Sequence, residues 1–499
     1  MIKKKKTKVA SSKFPKSPTG IEGLDVITNG GIPKNRPTLL VGNTGCGKTI
    51  MAMEFLIKGI VENNEPAVFM AFEEKTEELV LNVKSLGFDI KKHVADNKMY
   101  LEYVKVNQDE REAGQYNIEG LFVRLGQAIN KVKAKRVVLD SLDTLFFGFD
   151  ATILRAELKR LILWLKEKNV TAIITGESGK EFYTRDGVEE YVADCVMVLD
   201  NRVVNQVSTR RLRIVKYRGS IHGNNEYPFI IDKTGITVLP IVTDALKQKS
   251  SSERISSGIK EIDEMLDNKG FFIGSSVLIS GTAGTGKTSI AAAFAESVCK
   301  SKHRCIFCAF EEAPNQVMRN IKSIGFHLNS HVKSGQLSFY YARPTLQNLE
   351  LHFIAIKKMI DEINPSVIVL DPITNLMTEG PNSDIRGMLT RFVDYLKLEQ
   401  ITVLFTAAIT VGSIERHPSD EGISSMVDTW MMVQDIEVDG ERTRSLCVMK
   451  SRGMKHSNQV KRFDISSKGI TINEIIKSVD GAKRKLKEHT NLSTSKEQN

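Results

Sequence analysis

Two stretches carry the residue types and spacing for phosphate chemistry. The first is Gly42-Asn43-Thr44-Gly45-Cys46-Gly47-Lys48-Thr49, followed by Ile50. The second is Gly281-Thr282-Ala283-Gly284-Thr285-Gly286-Lys287-Thr288, followed by Ser289. Both fit the G-x-x-x-x-G-K-[ST] pattern of a P-loop. In such a loop the glycines turn backbone N–H groups inward around phosphate oxygens. Lys48 and Lys287 would reach the β and γ phosphates of ATP, and the hydroxyls of Thr49 and Thr288 would face Mg²⁺. Each loop follows an apolar run and precedes a helical pattern, such as Pro37 to Val41 and Ile50 to Ile60. That order supplies the strand and the helix N-terminus that a bound phosphate needs.

Further residues sit where this chemistry wants them. Asp140 and Asp371 each end an apolar run, the Walker B position from which a carboxylate orients Mg²⁺. Glu73-Glu74 and Glu311-Glu312 each end the strand-like run after the P-loop helix. A water or hydroxyl attacking a γ-phosphate needs a carboxylate to position it and take its proton. The first acid of each pair is the expected base. Two adjacent carboxylates repel, which would raise the pKa of one. Lys216 and Arg218, like Lys450 and Arg452, alternate on a late strand and so project from one face. They are candidates for cations supplied to a neighbouring subunit's nucleotide.

These residues must be positioned by two copies of one domain. Thr19-Gly20-Ile21 through Asp25 is echoed by Ser257-Gly258-Ile259 through Asp263. Phe72-Glu73-Glu74, Leu86-Gly87-Phe88 and Lys216-Tyr217-Arg218-Gly219 return as Phe310-Glu311-Glu312, Ile324-Gly325-Phe326 and Lys450-Ser451-Arg452-Gly453. A period this long means duplicated domains rather than a solenoid. The expected layout is a basic tail over 1–16, a first domain over 17–245, a linker over 246–254, a second domain over 255–476 and a flexible basic tail over 477–499. Within each half, apolar runs alternate with helical patterns, which predicts an α/β fold with a mostly parallel sheet between helices. The runs Asp194–Leu199, Arg211–Lys216 and Gly235–Leu239 are expected as antiparallel additions to one edge.

Composition narrows the function. The chain has 499 residues and a net charge of +10. Residues 1–16 carry seven lysines and no acid, and residues 477–499 carry six Lys or Arg against three acids. The tails therefore hold the whole excess, and the body between them is neutral, which disfavours nucleic acid as a partner. No apolar run approaches a membrane span, and the lysine-rich start lacks the apolar stretch of a signal peptide. A cytoplasmic protein is expected. The pair Cys305 and Cys308 lies within an apolar run and reads as buried hydrophobes rather than a metal or redox site.

Over residues 17 to 476 the order of P-loop, Phe-Glu-Glu, Leu/Ile-Gly-Phe, Walker B Asp and Lys-x-Arg-Gly, with Glu226-Tyr227-Pro228-Phe229 closing the first half, resembles the KaiC family. That family comprises ATPases and autokinases of the circadian clock. The resemblance implies two RecA-like P-loop NTPase domains, assembled as a homohexamer with ATP and Mg²⁺ between subunits. It implies that Ser85, Lys216, Tyr217, Arg218, Ser220 and His222 line the first nucleotide site. Ser323, Arg444, Lys450, Ser451 and Arg452 would line the second. It also places paired phosphoacceptors at Ser424 and Ser425, where the first half has Glu190 and Tyr191. Response-regulator or Kai-type proteins are the partners it suggests. The sequence departs from the family pattern at Cys46, at Pro372 after the Walker B Asp371, and at Ala407-Ala408-Ile409. The function expected is an ATP-hydrolysing Ser/Thr autokinase acting as a signalling or timing switch. The alternatives are a RecA-type motor on nucleic acid and an ATP-gated scaffold without phosphotransfer.

Overall fold

A computed structural model describes residues 14–475, apart from 106–117, 147–148, 180–182, 185–186, 188, 205–206, 241–250, 344–348, 377–381, 410–424 and 439. The chain divides into two compact units, Met1–Ile241 and Val242–Asn499. Each is built on a nine-stranded sheet, and the two sheets share one strand order.

In the first unit the P-loop strand Pro37–Gly42 lies at the centre. On one side follow Thr171–Glu177, Arg136–Asp140, Ala67–Ala71 and Met99–Tyr103, all parallel. On the other side lies Cys195–Val204, then Val207–Tyr217, Glu226–Asp232 and Gly235–Val238. The last three are antiparallel additions, but Cys195–Val204 runs parallel to the P-loop strand. The expectation that the run from Asp194 begins the antiparallel edge is therefore corrected by one strand. An apolar run carries no direction, and here the chain crosses over before Cys195 and re-enters in parallel.

The central strands are buried on both faces, as their unbroken apolar runs require. Ala67, Phe69 and Ala71 face the P-loop helix Lys48–Asn63. Val68 and Met70 face the core of the opposite layer, which holds helices Ile118–Val132 and Ala151–Glu167. Ile118, Leu121, Phe122, Leu125, Ala128, Ile129 and Val132 are the buried positions of the first of these, a three-to-four spacing that makes one apolar stripe.

The second unit repeats this around Ser276–Gly281, with Thr402–Ala408, Val367–Asp371, Cys305–Ala309 and Leu337–Tyr341 on the parallel side. Thr429–Val438 is parallel to the P-loop strand, and Glu441–Ser451, Lys461–Ser466 and Gly469–Glu474 follow antiparallel. Two tandem RecA-like domains result. Cys305 and Cys308 are fully buried and burial pushes both thiols up, in keeping with packing residues. The repeated Thr19–Asp25 segment is a turn knot. Asp25 accepts from the Thr19 and Gly20 N–H groups, and Asp263 accepts from Ser257 N–H.

Candidate nucleotide sites

The P-loops close because glycine stands where the backbone turns left-handed. Gly45 and Gly47 have φ of 76° and 108°, and Gly284 and Gly286 have 78° and 97°. A side chain in that region is strained. At Gly47 a Cβ would also stand 2.7 Å from Ile231 Cδ1. Each loop then runs straight into its helix, Lys48–Asn63 or Lys287–Lys300, so the helix N-terminus faces the cradle.

The two lysines begin alike. Lys48 Nζ donates to the carbonyls of Gly42 at 2.6 Å and Asn43 at 3.2 Å, and Lys287 Nζ to those of Gly281 at 2.9 Å and Thr282 at 2.7 Å. They differ in the third contact. Lys48 also pairs with Glu177 Oε1 at 2.9 Å. Glu177 is partnered with Gly42 in the strand register, and the residue partnered with Gly281 is Ala408.

The Walker B acids, Asp371 buried and Asp140 half-buried, are tied to the P-loop threonines. Thr49 Oγ1 donates to Asp140 Oδ2 at 2.8 Å, and Thr288 Oγ1 to Asp371 Oδ1 at 3.2 Å. A second threonine from the neighbouring strand also donates to each: Thr175 to the other oxygen, Asp140 Oδ1, and Thr406 to the Asp371 Oδ1 that Thr288 uses. Burial raises both carboxyls, against the lowering effect of these hydroxyls. A cation at this point would relieve that penalty, and a carboxylate beside a hydroxyl is the hard oxygen set that suits Mg²⁺. The residues present therefore fit the ion.

The acid pairs sit at the strand ends next to the Walker B strands. Glu73 is exposed and accepts from Ser141 Oγ at 2.6 Å and from Thr144 Oγ1. Glu74 accepts from Asn82, and Glu312 from Asn320 Nδ2 at 3.0 Å. The raised carboxyl of the first pair is Glu74. Its causes are burial, then the charges of Glu78 and Asp140. Glu311 is exposed, and Pro372 follows Asp371 where Ser141 follows Asp140.

Ser85 and Ser323 are exposed at equivalent helix ends, each donating to the carbonyl three residues before it. Lys216 and Arg218 share one face, and their side chains donate to the backbone of the helix Glu189–Val192. Lys216 Nζ reaches Glu190 O at 2.8 Å and Tyr191 O at 3.1 Å, and Arg218 Nη2 reaches Tyr191 O at 3.1 Å. Burial, then the Arg218 charge, lowers Lys216. Tyr217 points the other way, into the core, with its hydroxyl donating to Gly31 O at 2.9 Å. Ser220 and His222 bond within their own turn.

In the second domain Arg452 Nη2 donates to Ser425 O at 2.8 Å. Lys450 is lowered by burial and then by the Arg452 charge. Ser451 is buried against Thr429, and Arg444 is half-buried on the same strand. Ser425 is exposed, and Ser424 lies outside the described residues.

Sequence reasoning missed Thr175, Thr406, Ser141 and Glu177. A signal existed for the two threonines, which occupy the same place in matching apolar runs.

A duplicated RecA-like fold with a phosphate cradle, a threonine–aspartate pair and strand-end carboxylates in each half defines a P-loop ATPase. The KaiC ATPase family model matches residues 17–243 and 255–477. The circadian clock protein KaiC2 of Synechocystis sp. is 47% identical over 463 residues, covering 92% of this chain and 81% of that protein. The circadian clock oscillator protein KaiC of Synechococcus elongatus is 36% identical over 466 residues, covering 93% and 90%. That of Thermosynechococcus vestitus is 35% identical over 479 residues, covering 95% and 92%. The chain belongs to the KaiC family. Among the described residues no helix is long and apolar enough to cross a membrane.

Proposed function

We propose that this KaiC-family ATPase is also a Ser/Thr autokinase that works as a homohexamer, with ATP between subunits. The observation that carries this is the grip of Arg452 on the Ser425 carbonyl, at the place where Lys216 and Arg218 hold the Tyr191 carbonyl. Arg452 thereby joins the Lys-x-Arg run to the segment that begins at Ser425. Whatever nucleotide receives Arg452 also receives Ser425. In the first domain the matching segment presents Glu190 and Tyr191, so that site hydrolyses ATP and holds the assembly.

At the second site Ser424 or Ser425 Oγ attacks the γ-phosphorus, the bond to the β–γ bridging oxygen breaks, and ADP leaves. The hydroxyl proton passes to Glu311. At the first site water takes the place of the serine and Glu73 the place of Glu311. The P-loop amides, Lys48 or Lys287, and the trans cations Lys216/Arg218 or Lys450/Arg452 stabilise the transferring phosphoryl. Mg²⁺, held by Thr49 with Asp140 or Thr288 with Asp371, would neutralise phosphate charge.

Phosphoserine adds roughly −1.5 to −2 charge at pH 7, enough to reset local packing. A signalling or timing switch read by Kai-type or response-regulator partners follows, in line with the clock proteins it resembles. Incubation of the full chain with Mg²⁺ and γ-labelled ATP should label the protein. ADP accumulating without labelled protein would remove the kinase and leave the ATPase.

A further inference from the structure

We propose that Glu177 is a carboxylate latch on the first P-loop lysine, which the β and γ phosphates of an incoming nucleotide must displace. Ala408 leaves the second site without one. The proposal rests on nucleotide binding at the first P-loop and not on phosphotransfer.

An ammonium group has three N–H donors. Two are used identically in both sites, on the carbonyls of the first two P-loop residues. The third is the one left for a phosphate, and at Lys48 it lies on Glu177 Oε1 at 2.9 Å. Strand register makes the comparison with Ala408 a like-for-like one, since each residue is the partner of its P-loop strand's last glycine. Among the described residues no carboxylate lies within ion-pair distance of Lys287.

Glu177 is held in place from behind. Its N–H donates to Asp143 Oδ2 at 2.6 Å, and the next residue, Ser178, donates through its hydroxyl to Asn43 of the P-loop. The matching bond from Ala408 N–H to Thr374 Oγ1 is 3.4 Å. Exposure is unequal across the pair: the Lys48 side chain is 9% exposed and that of Glu177 36%. The acid can swing toward water while the lysine stays. A polyanion approaching Lys48 meets a neutral pair and must outcompete a carboxylate. One approaching Lys287 meets a cation on which Asp371 and Glu311 act through space, without an ion-pair contact.

The test uses the full chain carrying Lys287→Ala, so that only the first site binds. Glu177→Gln keeps the size and the backbone bond to Asp143 and removes the charge. It should tighten the Kd for AMP-PNP and for ADP by about 10-fold, the scale of one hydrogen bond to a charged group. AMP lacks the phosphates the lysine reaches and should bind as before. An unchanged or weaker Kd for AMP-PNP would overturn the proposal. The reciprocal change, Ala408→Glu in a Lys48→Ala chain, stands independently. It should weaken AMP-PNP at the second site by about 10-fold, and an unchanged Kd there would equally overturn the latch.

Discussion

At the first P-loop Lys48 meets Glu177, and at the second the matching strand position is Ala408. The same contrast recurs below the sites. Arg136 opens the first Walker B strand fully buried, paired with Glu65 at 2.7 Å and donating to Phe55 O and Pro18 O. It lies so close to Gly59 of the P-loop helix that a Cβ there would stand 2.2 Å from its Nε. Val367 takes that register position in the second domain. Buried Glu54 on the first P-loop helix accepts from Ile236 N–H at 2.7 Å, and the residue six past the second P-loop lysine is Ala293. What the two domains share is set by backbone geometry: left-handed glycines, strand register and the threonine–aspartate pair. What they do not share is where charge is buried: Lys48 with Glu177, Arg136 and Glu54 in the first domain, against Glu296, which accepts from His327 N–H at 2.6 Å, on the second P-loop helix.

The sharpest way to break the comparison is to remove each base. Glu311→Gln should lower label transfer to the protein by about 100- to 10,000-fold, the range for a positioned general base. Glu73→Gln should lower ADP production by the first site by a similar factor and leave transfer standing. Equal loss of transfer in both variants would erase the division between the sites.

Next in size is Arg136→Ala. It strips a buried guanidinium from its carbonyl and carboxylate partners and should destabilise the first domain by about 3 kcal/mol. Val367→Ala loses only methyl groups and should cost the second domain about 1.5 kcal/mol. The chain has two tryptophans, Trp164 and Trp430, one in each domain. Fluorescence of Trp→Phe variants in a denaturant titration would read each domain separately.

Thr175→Val and Thr406→Val remove a hydroxyl that orients a Walker B carboxylate. Each should weaken Mg²⁺ dependence of its own site by about 10-fold, measured as the Mg²⁺ concentration for half-maximal turnover. Here the prediction is sameness, because both domains keep the threonine.

A separate handle on the comparison is the pH dependence that Glu54 gives the first domain. Burial pushes the Glu54 carboxyl from 4.5 up to about 7, with Asp232 and Glu62 adding to the rise and Ile236 N–H and Lys58 opposing it. The folded domain therefore holds this proton more tightly than the unfolded chain does. Stability from this group falls as pH rises from about 4.5 to about 7 and is flat above. The Trp164 melting midpoint should drop by on the order of 10 °C over that window, and Glu54→Gln should remove the slope. The second domain, with Ala293, should not show this contribution.

Much of this was legible in the sequence. Motifs that are contiguous survive as text: both P-loops, both acid pairs, both Walker B aspartates and both Lys-x-Arg runs. The duplication made each more specific, and it fixed the fold. Features that depend on strand order were not legible. Glu177 is 129 residues from Lys48, and only the register of two parallel strands joins them. The direction of Cys195–Val204 was misread because alternation and apolarity look the same in either direction. The raised acid beside Glu73 was expected from mutual repulsion, and the structure gives burial and Glu78 as the larger causes. Tyr217 stands within a motif read as a nucleotide contact, yet its ring is core, because alternate residues on a strand face opposite ways.

The central claim is that phosphate is kept on the protein at the second site. Site-resolved mass spectrometry after incubation with Mg·ATP tests it most directly. The account predicts phosphoserine at Ser424 and Ser425 in the unmodified chain and its loss in Lys287→Ala. Phosphate retained at those serines in Lys287→Ala, or none at all while ADP accumulates, would contradict it.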